Sequence, residues 1–166
     1  PAPPPPPPPP KPTSYVEAET WALEKCREGL YAEAVDLFEQ ALKLPGDDYD
    51  VRRVSSSNSP VGGAPVLRDL ERVSFPSVLQ QQTAYYNIAC CKAKGGESVG
   101  ALDALEKAFS LGFDDFALCK KESDFGTIAA DVDRLVDKYK PKGPLSGLSG
   151  LADNLLKLPK SFVDFK

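Results

Sequence analysis

Residues 84–111 read AYYNIACCKAKGGESVGALDALEKAFSL, and their apolar pattern is the clearest structural signal in the chain. Apolar side chains recur every three or four residues on both sides of the Gly95-Gly96 pair, as they do in two amphipathic helices joined by a turn. The pattern predicts helices over residues 77–94 and 98–111. Because no segment alternates convincingly as a half-buried strand does, the chain is predicted to be all-α.

The same spacing of small and large apolar residues occurs earlier in the chain. The two copies read Gly29-x-Tyr31-x-x-Ala34-x-x-x-Phe38-x-x-Ala41 and Gly96-x-Ser98-x-x-Ala101-x-x-x-Leu105-x-x-Ala108. Alanine lets the two helices of a pair approach closely, and the larger residue fills the space between pairs. This layout resembles the tetratricopeptide repeat, and the 67 residues from Ala34 to Ala101 are close to two units of about 34 residues. The resemblance implies antiparallel helix pairs stacked into a short α-solenoid.

Further helices flank these two copies. Ser14 and Glu17 have the spacing of a capping box, which predicts that a helix begins at residue 15 and ends near Gly29. A second helix is expected over residues 31–44, and a short helix and then a longer one, over residues 126–139, follow the second copy.

The composition divides the chain into three parts. Residues 1–13 are almost pure proline and predict an extended polyproline arm, which is either a ligand for a proline-recognising domain or a spacer. Residues 14–140 form the helical domain, in which residues 46–76 are expected to be an insertion loop with one short helix over residues 66–73. Residues 141–166 form an amphipathic tail.

The tail spaces its apolar residues alternately three and four apart, which predicts one apolar helical stripe. Four of them are candidate partner-binding residues: Leu148, Leu151, Leu155 and Phe162. The stripe either folds back over the last helix of the domain, or docks into a partner's groove or onto a membrane surface. Because Pro159 limits its helix to about three turns, any membrane contact is expected to be peripheral.

The composition argues against most hydrolase chemistry. The chain has 166 residues, with 20 Lys and Arg against 24 Asp and Glu, and it has no His. Without imidazole there is no Ser-His or Cys-His nucleophile pair and no His ligand for a metal. We therefore expect no enzyme, no catalytic residue, no cofactor and no metal site. A net charge of −4 without a basic run argues against nucleic-acid binding.

The four cysteines are Cys26, Cys90, Cys91 and Cys119. They form no C-x-x-C motif, and the adjacent Cys90 and Cys91 point in different directions on a helix. Reduced cysteines that pack between helices are the favoured interpretation. A redox-sensing pair made with Cys26 or Cys119 is the alternative.

A closer resemblance rests on residues 84–91, 100–108 and 112–116, together with the ALKLPG string at residues 41–46. These strings look like the tetratricopeptide region of plant and algal chloroplast proteins. The best known are the thylakoid PDZ-plus-tetratricopeptide factors associated with photosystem II assembly and repair, whose PDZ part is not found in these residues. The resemblance implies a chloroplast protein that lies peripherally on the stromal side of the thylakoid membrane and binds other proteins.

Stacked helix pairs bind partners in a groove lined by the first helix of each repeat. On the second repeat the expected groove residues are Tyr86, Asn87, Cys90 and Lys94. By the resemblance, Asn87 stands where chaperone-binding tetratricopeptide domains hold a partner's C-terminal carboxylate. The matching first-repeat Lys and Asn fall on Glu19 and Leu23, so carboxylate docking of that kind is not expected.

The resemblance implies a non-enzymatic protein-interaction module that binds photosystem II during its assembly or repair. The alternative is a stably bound structural subunit of another photosynthetic or chloroplast complex. An assembly factor would leave as its client matures, whereas a subunit would remain at fixed stoichiometry.

Overall fold

A computed structural model describes residues 10–53 and 70–141, which form a mostly helical fold with one small two-stranded sheet. The helices are α1 (Tyr15–Arg27), α2 (Tyr31–Ala41), α3 (Val78–Lys94), α4 (Ser98–Ser110), α5 (Phe116–Lys121) and α6 (Ala129–Tyr139), with a 3₁₀ helix over Ser123–Ile128. The strands are β1 (Asp48–Arg53) and β2 (Leu70–Phe75). Except for the short helix expected over residues 66–73, the predicted helices are confirmed to within three residues at each end.

The helix ends follow from local chemistry. The Ser14 side chain accepts a hydrogen bond from the Glu17 N–H group, as predicted, but the Glu17 carboxylate accepts from Thr13 rather than from Ser14. Both α1 and α3 are followed by a glycine in the left-handed region, Gly29 with φ 79° and Gly96 with φ 82°. A side chain is strained there, so these glycines allow the chain to reverse into the next helix.

The two helices of each pair, α1 with α2 and α3 with α4, run antiparallel. The N–H group at the start of α1, on Tyr15, donates to the carbonyl of Pro45, just beyond α2, at 2.9 Å. In the second pair the Gln82 amide, near the start of α3, donates to the Leu111 carbonyl at the end of α4, at 2.7 Å. Each pair is therefore a helical hairpin whose open end is closed by hydrogen bonds.

The two hairpins repeat one packing arrangement. Three positions of α2 recur in α4 with the same separation of 67 residues, and all six side chains are completely buried: Ala34 and Ala101, Phe38 and Leu105, and Ala41 and Ala108. Helix α2 lies against α3, which joins the hairpins into one body. Positions that the sequence spaces 67 residues apart are thus buried alike in the two hairpins.

The C-terminal helices cover the second hairpin. Phe125, Ile128, Val132 and Val136 are buried in the same apolar cluster as the core of the two hairpins. Because this cluster is continuous, the 3₁₀ helix and α6 are held against α3 and α4 by burial of apolar surface.

The expectation of no strands was wrong. Strands β1 and β2 pair antiparallel within the segment predicted to be a loop, and β2 occupies part of the stretch predicted to be helical. On one face of this sheet the Arg72 guanidinium lies 3.7 Å from the centre of the Tyr49 ring, its diagonal neighbour across the strands. The residues paired between the strands lie 17 to 27 positions apart in the chain, so local turn propensity does not predict the sheet.

The sheet is joined to the start of α3 at one junction. The Gln80 side-chain oxygen accepts hydrogen bonds from Ser77 N–H at 3.0 Å, completing a capping box, and from Asp47 N–H at 2.9 Å. Gly46 has no space for a side chain against this junction. The segment after α2 is therefore held tightly where it meets α3.

Several predictions lie outside the described residues. They are most of the proline-rich arm, the middle of the expected insertion loop, and the tail with Leu148, Leu151, Leu155 and Phe162. The division into three parts thus stays a prediction. Within residues 10–53 and 70–141, none of the helices combines the length and the apolar character that crossing a membrane requires.

Candidate functional site

A cavity of about 180 Å³ lies between α1, α2, α3 and the residues that follow α5. We call it the groove. All four groove residues expected on α3 line it: Tyr86, Asn87, Cys90 and Lys94. They lie together because residues four apart on a helix share one face. The rings, charges and hydrogen bonds of the groove determine which ligands it can bind.

One wall of the groove is aromatic. The Tyr86 ring stacks on Phe113 with ring centres 5.1 Å apart and meets the edge of Phe125 at 6.2 Å. Its hydroxyl donates a hydrogen bond to the Glu122 carboxylate at 3.2 Å. Burial raises the pKa of Tyr86 well above its ordinary value, so this hydroxyl stays protonated and remains a donor. The ring is therefore fixed in place by stacking on one side and by a hydrogen bond at its tip.

The positive charge in the groove is already paired. Lys94 Nζ lies 3.0 Å from Asp124 Oδ2, and the Asp124 side chain is only 14% exposed. The hydrogen bond to Asp124 raises the pKa of Lys94 above its ordinary value, so the ammonium stays charged. The same ammonium lies 5.9 Å from the centre of the Tyr31 ring, a cation–π distance. With Glu122 also present, the groove carries a formal charge of about −1.

Cys90, Glu122 and Asp124 place their ligand atoms within 4.8 Å of one another. Such a set fits a divalent cation only when the thiol is ionised and the carboxylates are free. Burial raises the pKa of the Cys90 thiol to about 12, Tyr86 donates to Glu122, and Lys94 pairs with Asp124. These side chains satisfy one another, and the cluster does not fit a metal ion.

Asn87 lines the groove, and none of the hydrogen bonds in the described part of the chain involves its amide. On α1, Leu23 reaches the same groove with 37% of its surface exposed. Glu19 instead accepts a hydrogen bond from the Tyr15 hydroxyl at 3.2 Å. Among the residues that the structure describes, the Asn87 amide thus lines the groove without a hydrogen-bond partner.

Besides Leu23, five further groove residues were not predicted from the sequence: Cys26, Tyr31, Cys91, Glu122 and Asp124. Tyr31 belongs to the repeat pattern, but it lies on the second helix of its pair, whereas the groove was expected on the first helix of each repeat. The two acidic residues follow α5 and reach the groove only because the 3₁₀ helix packs against α3. No local signal in the sequence indicates that contact.

The chain is similar to part of a chloroplast protein. Over 68 residues it is 32% identical to a protein of Arabidopsis thaliana that is described as chloroplastic, and the match covers 40% of this chain. The chain spans about a fifth of the length of that relative, because the match covers 20% of it. No protein-family profile matches the chain. No solved structure is significantly similar to it. The comparisons thus point to a chloroplast protein.

Proposed function

We propose that this chain is a non-enzymatic protein-interaction module of the tetratricopeptide type. It acts on the stromal side of the thylakoid membrane, where it binds photosystem II during assembly or repair. The observation that carries the proposal is the groove, which combines the stacked Tyr86 ring with an Asn87 amide that makes no hydrogen bond to the other described residues.

The tetratricopeptide assignment is supported by the repeated packing. Two helical hairpins use equivalent buried residues 67 positions apart, and each first helix is followed by a left-handed glycine, Gly29 or Gly96. Stacked hairpins of this kind leave the first helices lining a concave surface. Helices α1 and α3 occupy those places here, and both contribute to the groove.

The charges of the groove favour one class of ligand. A partner's C-terminal carboxylate would need a free cation, but Lys94 is paired with Asp124 and the groove is acidic overall. The Asn87 amide can both donate to and accept from a peptide backbone. Tyr31 and Tyr86 offer apolar surface beside it. We therefore propose an internal, extended segment of a partner, with apolar or basic side chains, as the ligand.

The location and the client follow from similarity. The Arabidopsis relative is named as a chloroplast protein, and the sequence strings at residues 84–91 and 100–108 resemble those of thylakoid photosystem II assembly factors. Both observations support a chloroplast role, and the second supports photosystem II as the client.

Affinity capture from detergent-solubilised thylakoids tests the proposal. The bait is the full chain, compared with Asn87→Lys, which places a long charged side chain in the groove. Val99→Lys is the matched control, because Val99 is 75% exposed on α4 and does not line the groove. The melting temperature of each bait is measured first, so that a misfolded variant is recognised.

Photosystem II core subunits should be enriched by the wild-type chain and by Val99→Lys, and at least tenfold less by Asn87→Lys. Equal capture by all three baits would contradict the groove as the binding site. Recovery at unit stoichiometry with a different mature complex would replace the assembly role with that of a structural subunit.

A further inference from the structure

Two of the four cysteines meet across the interface between the hairpins. Cys26 lies in the last turn of α1 and Cys91 lies near the end of α3, and their Sγ atoms are 2.6 Å apart. Both residues line the groove. The other two thiols, on Cys90 and Cys119, are in the described part of the chain and make no contact of this kind. The fold therefore selects one pair out of the possible pairings.

We propose that Cys26 and Cys91 are a reversible disulfide site in the wall of the groove, oxidised by exchange with a small disulfide such as oxidised glutathione. The site is independent of the partner proposed above, because it requires only the contact that the fold makes between Cys26 and Cys91. The two sulfur atoms already lie side by side, so bond formation has to shorten their separation only from 2.6 Å to the bonded length of about 2.0 Å.

The two thiols have different access to an oxidant. Cys26 is half-buried and opens into the groove, whereas Cys91 is only 3% exposed. Burial also raises the pKa of the Cys91 thiol above its ordinary value, which makes it the poorer first nucleophile. Cys26 is therefore the residue that attacks first, and Cys91 is the residue that completes the bond.

The exchange is balanced in two steps. The Cys26 thiolate attacks one sulfur of oxidised glutathione, which breaks the glutathione disulfide and releases the first glutathione thiolate. Cys91 then attacks Cys26 Sγ in the mixed disulfide, which forms the internal disulfide and releases the second glutathione. The protons lost by the two protein thiols end on the two glutathione molecules. Excess reduced glutathione drives the same steps backwards.

The bond would join the first hairpin to the second. It would close a chain loop of 65 residues and so restrict the unfolded chain, which stabilises the folded state in the chain-entropy description. For a domain of this size the expected rise in melting temperature is on the order of 10 °C. Oxidation would also fix the separation of α1 and α3, and hence the width of the groove.

The test uses the full purified chain, fully reduced and then equilibrated in glutathione buffers of increasing oxidised fraction. Free thiols are blocked, and the chain is digested without reduction and mapped by mass spectrometry. Wild type should show one internal disulfide joining Cys26 to Cys91, and excess dithiothreitol should remove it. The melting temperature should follow the same redox titration.

Cys26→Ser should abolish the cross-linked peptide and the redox-dependent rise in melting temperature. Cys90→Ser is the matched control at the neighbouring position and should leave both unchanged. Four free thiols in the wild-type chain at every buffer ratio, or a cross-link that uses Cys90 or Cys119 instead, would overturn the proposal. The disulfide mapping of the wild-type chain tests the proposal even if a variant fails to fold. Because the mapping needs no photosystem component, its outcome is separate from that of the capture experiment.

Discussion

Replacement of Gly46 by alanine should destabilise the protein strongly, although the change adds a single methyl group. A Cβ atom there would lie 2.5 Å from Pro76 Cα, 2.5 Å from Gln80 Oε1 and 2.9 Å from the Phe75 carbonyl oxygen. Two of these atoms belong to the backbone and cannot turn away. The residue 46 segment would therefore have to move by about 1 Å to restore ordinary contact.

Two losses add up. Overpacking of this kind costs about 1–3 kcal/mol. Movement of the segment also pulls the Asp47 N–H group away from Gln80 Oε1, now at 2.9 Å, and a lost hydrogen bond costs about 1 kcal/mol more. We expect Gly46→Ala to lower the free energy of unfolding by ~3 kcal/mol. For a domain of this size that corresponds to a fall in melting temperature of roughly 10 °C.

Urea denaturation followed by circular dichroism measures this difference. Gly126→Ala is the matched control, because nothing lies within 4 Å of its added Cβ, and its effect should stay within about 0.5 kcal/mol of zero. If the two variants unfold at the same urea concentration, the sheet is not held against α3 as described, and the reasoning about this junction is refuted.

Three further predictions concern the core and the groove. Leu105→Ala should lower the free energy of unfolding by about 3–5 kcal/mol, because Leu105 is completely buried. Val99→Ala, at an exposed position of the same helix, should lower it by less than about 0.5 kcal/mol. Similar losses for both variants in urea denaturation would contradict the repeat packing. Tyr86→Phe keeps the ring stack and removes one hydrogen bond. It should therefore lower the free energy of unfolding by about 1 kcal/mol. A loss above ~3 kcal/mol would mean that the hydroxyl supports more than this contact. Burial raises the pKa of Cys90 and of Cys119 to about 12, so the folded state holds these protons more tightly than the unfolded state. Their contribution to stability should be complete below about pH 9 and lost as the pH rises towards 12. Melting curves of the reduced protein measured at increasing pH can follow this loss. In a Cys90→Ser variant the melting temperature should fall less steeply with pH over this alkaline range.

The helices could be predicted because their signals are local. Ser14 caps α1, Gly29 and Gly96 end the first helices, and the apolar periodicity fixes the faces that are buried. The sheet could not be predicted in this way. Its two strands are separated by sixteen residues in the chain, and the register that pairs Tyr49 with Ser74 is set by contacts between distant segments.

Only the α3 side of the groove could be predicted from the sequence. Tyr86, Asn87, Cys90 and Lys94 follow from the face of a single helix, so the sequence suffices to group them. Asp124, which neutralises Lys94, comes from a segment some thirty residues later, and only the packed fold brings the two together. The sulfur contact to Cys91 was likewise open before the structure, since Cys26 and Cys119 were both candidates, and the structure selects Cys26.

We propose that the groove binds a photosystem II protein. Surface plasmon resonance of the full chain against purified photosystem II core complexes, in both assembly and mature forms, measures this binding. We expect saturable binding that favours the assembly forms, is weakened at least tenfold by Asn87→Lys, and is unchanged by Val99→Lys. Absence of binding to every form, or equal binding by wild type and both variants, would contradict it.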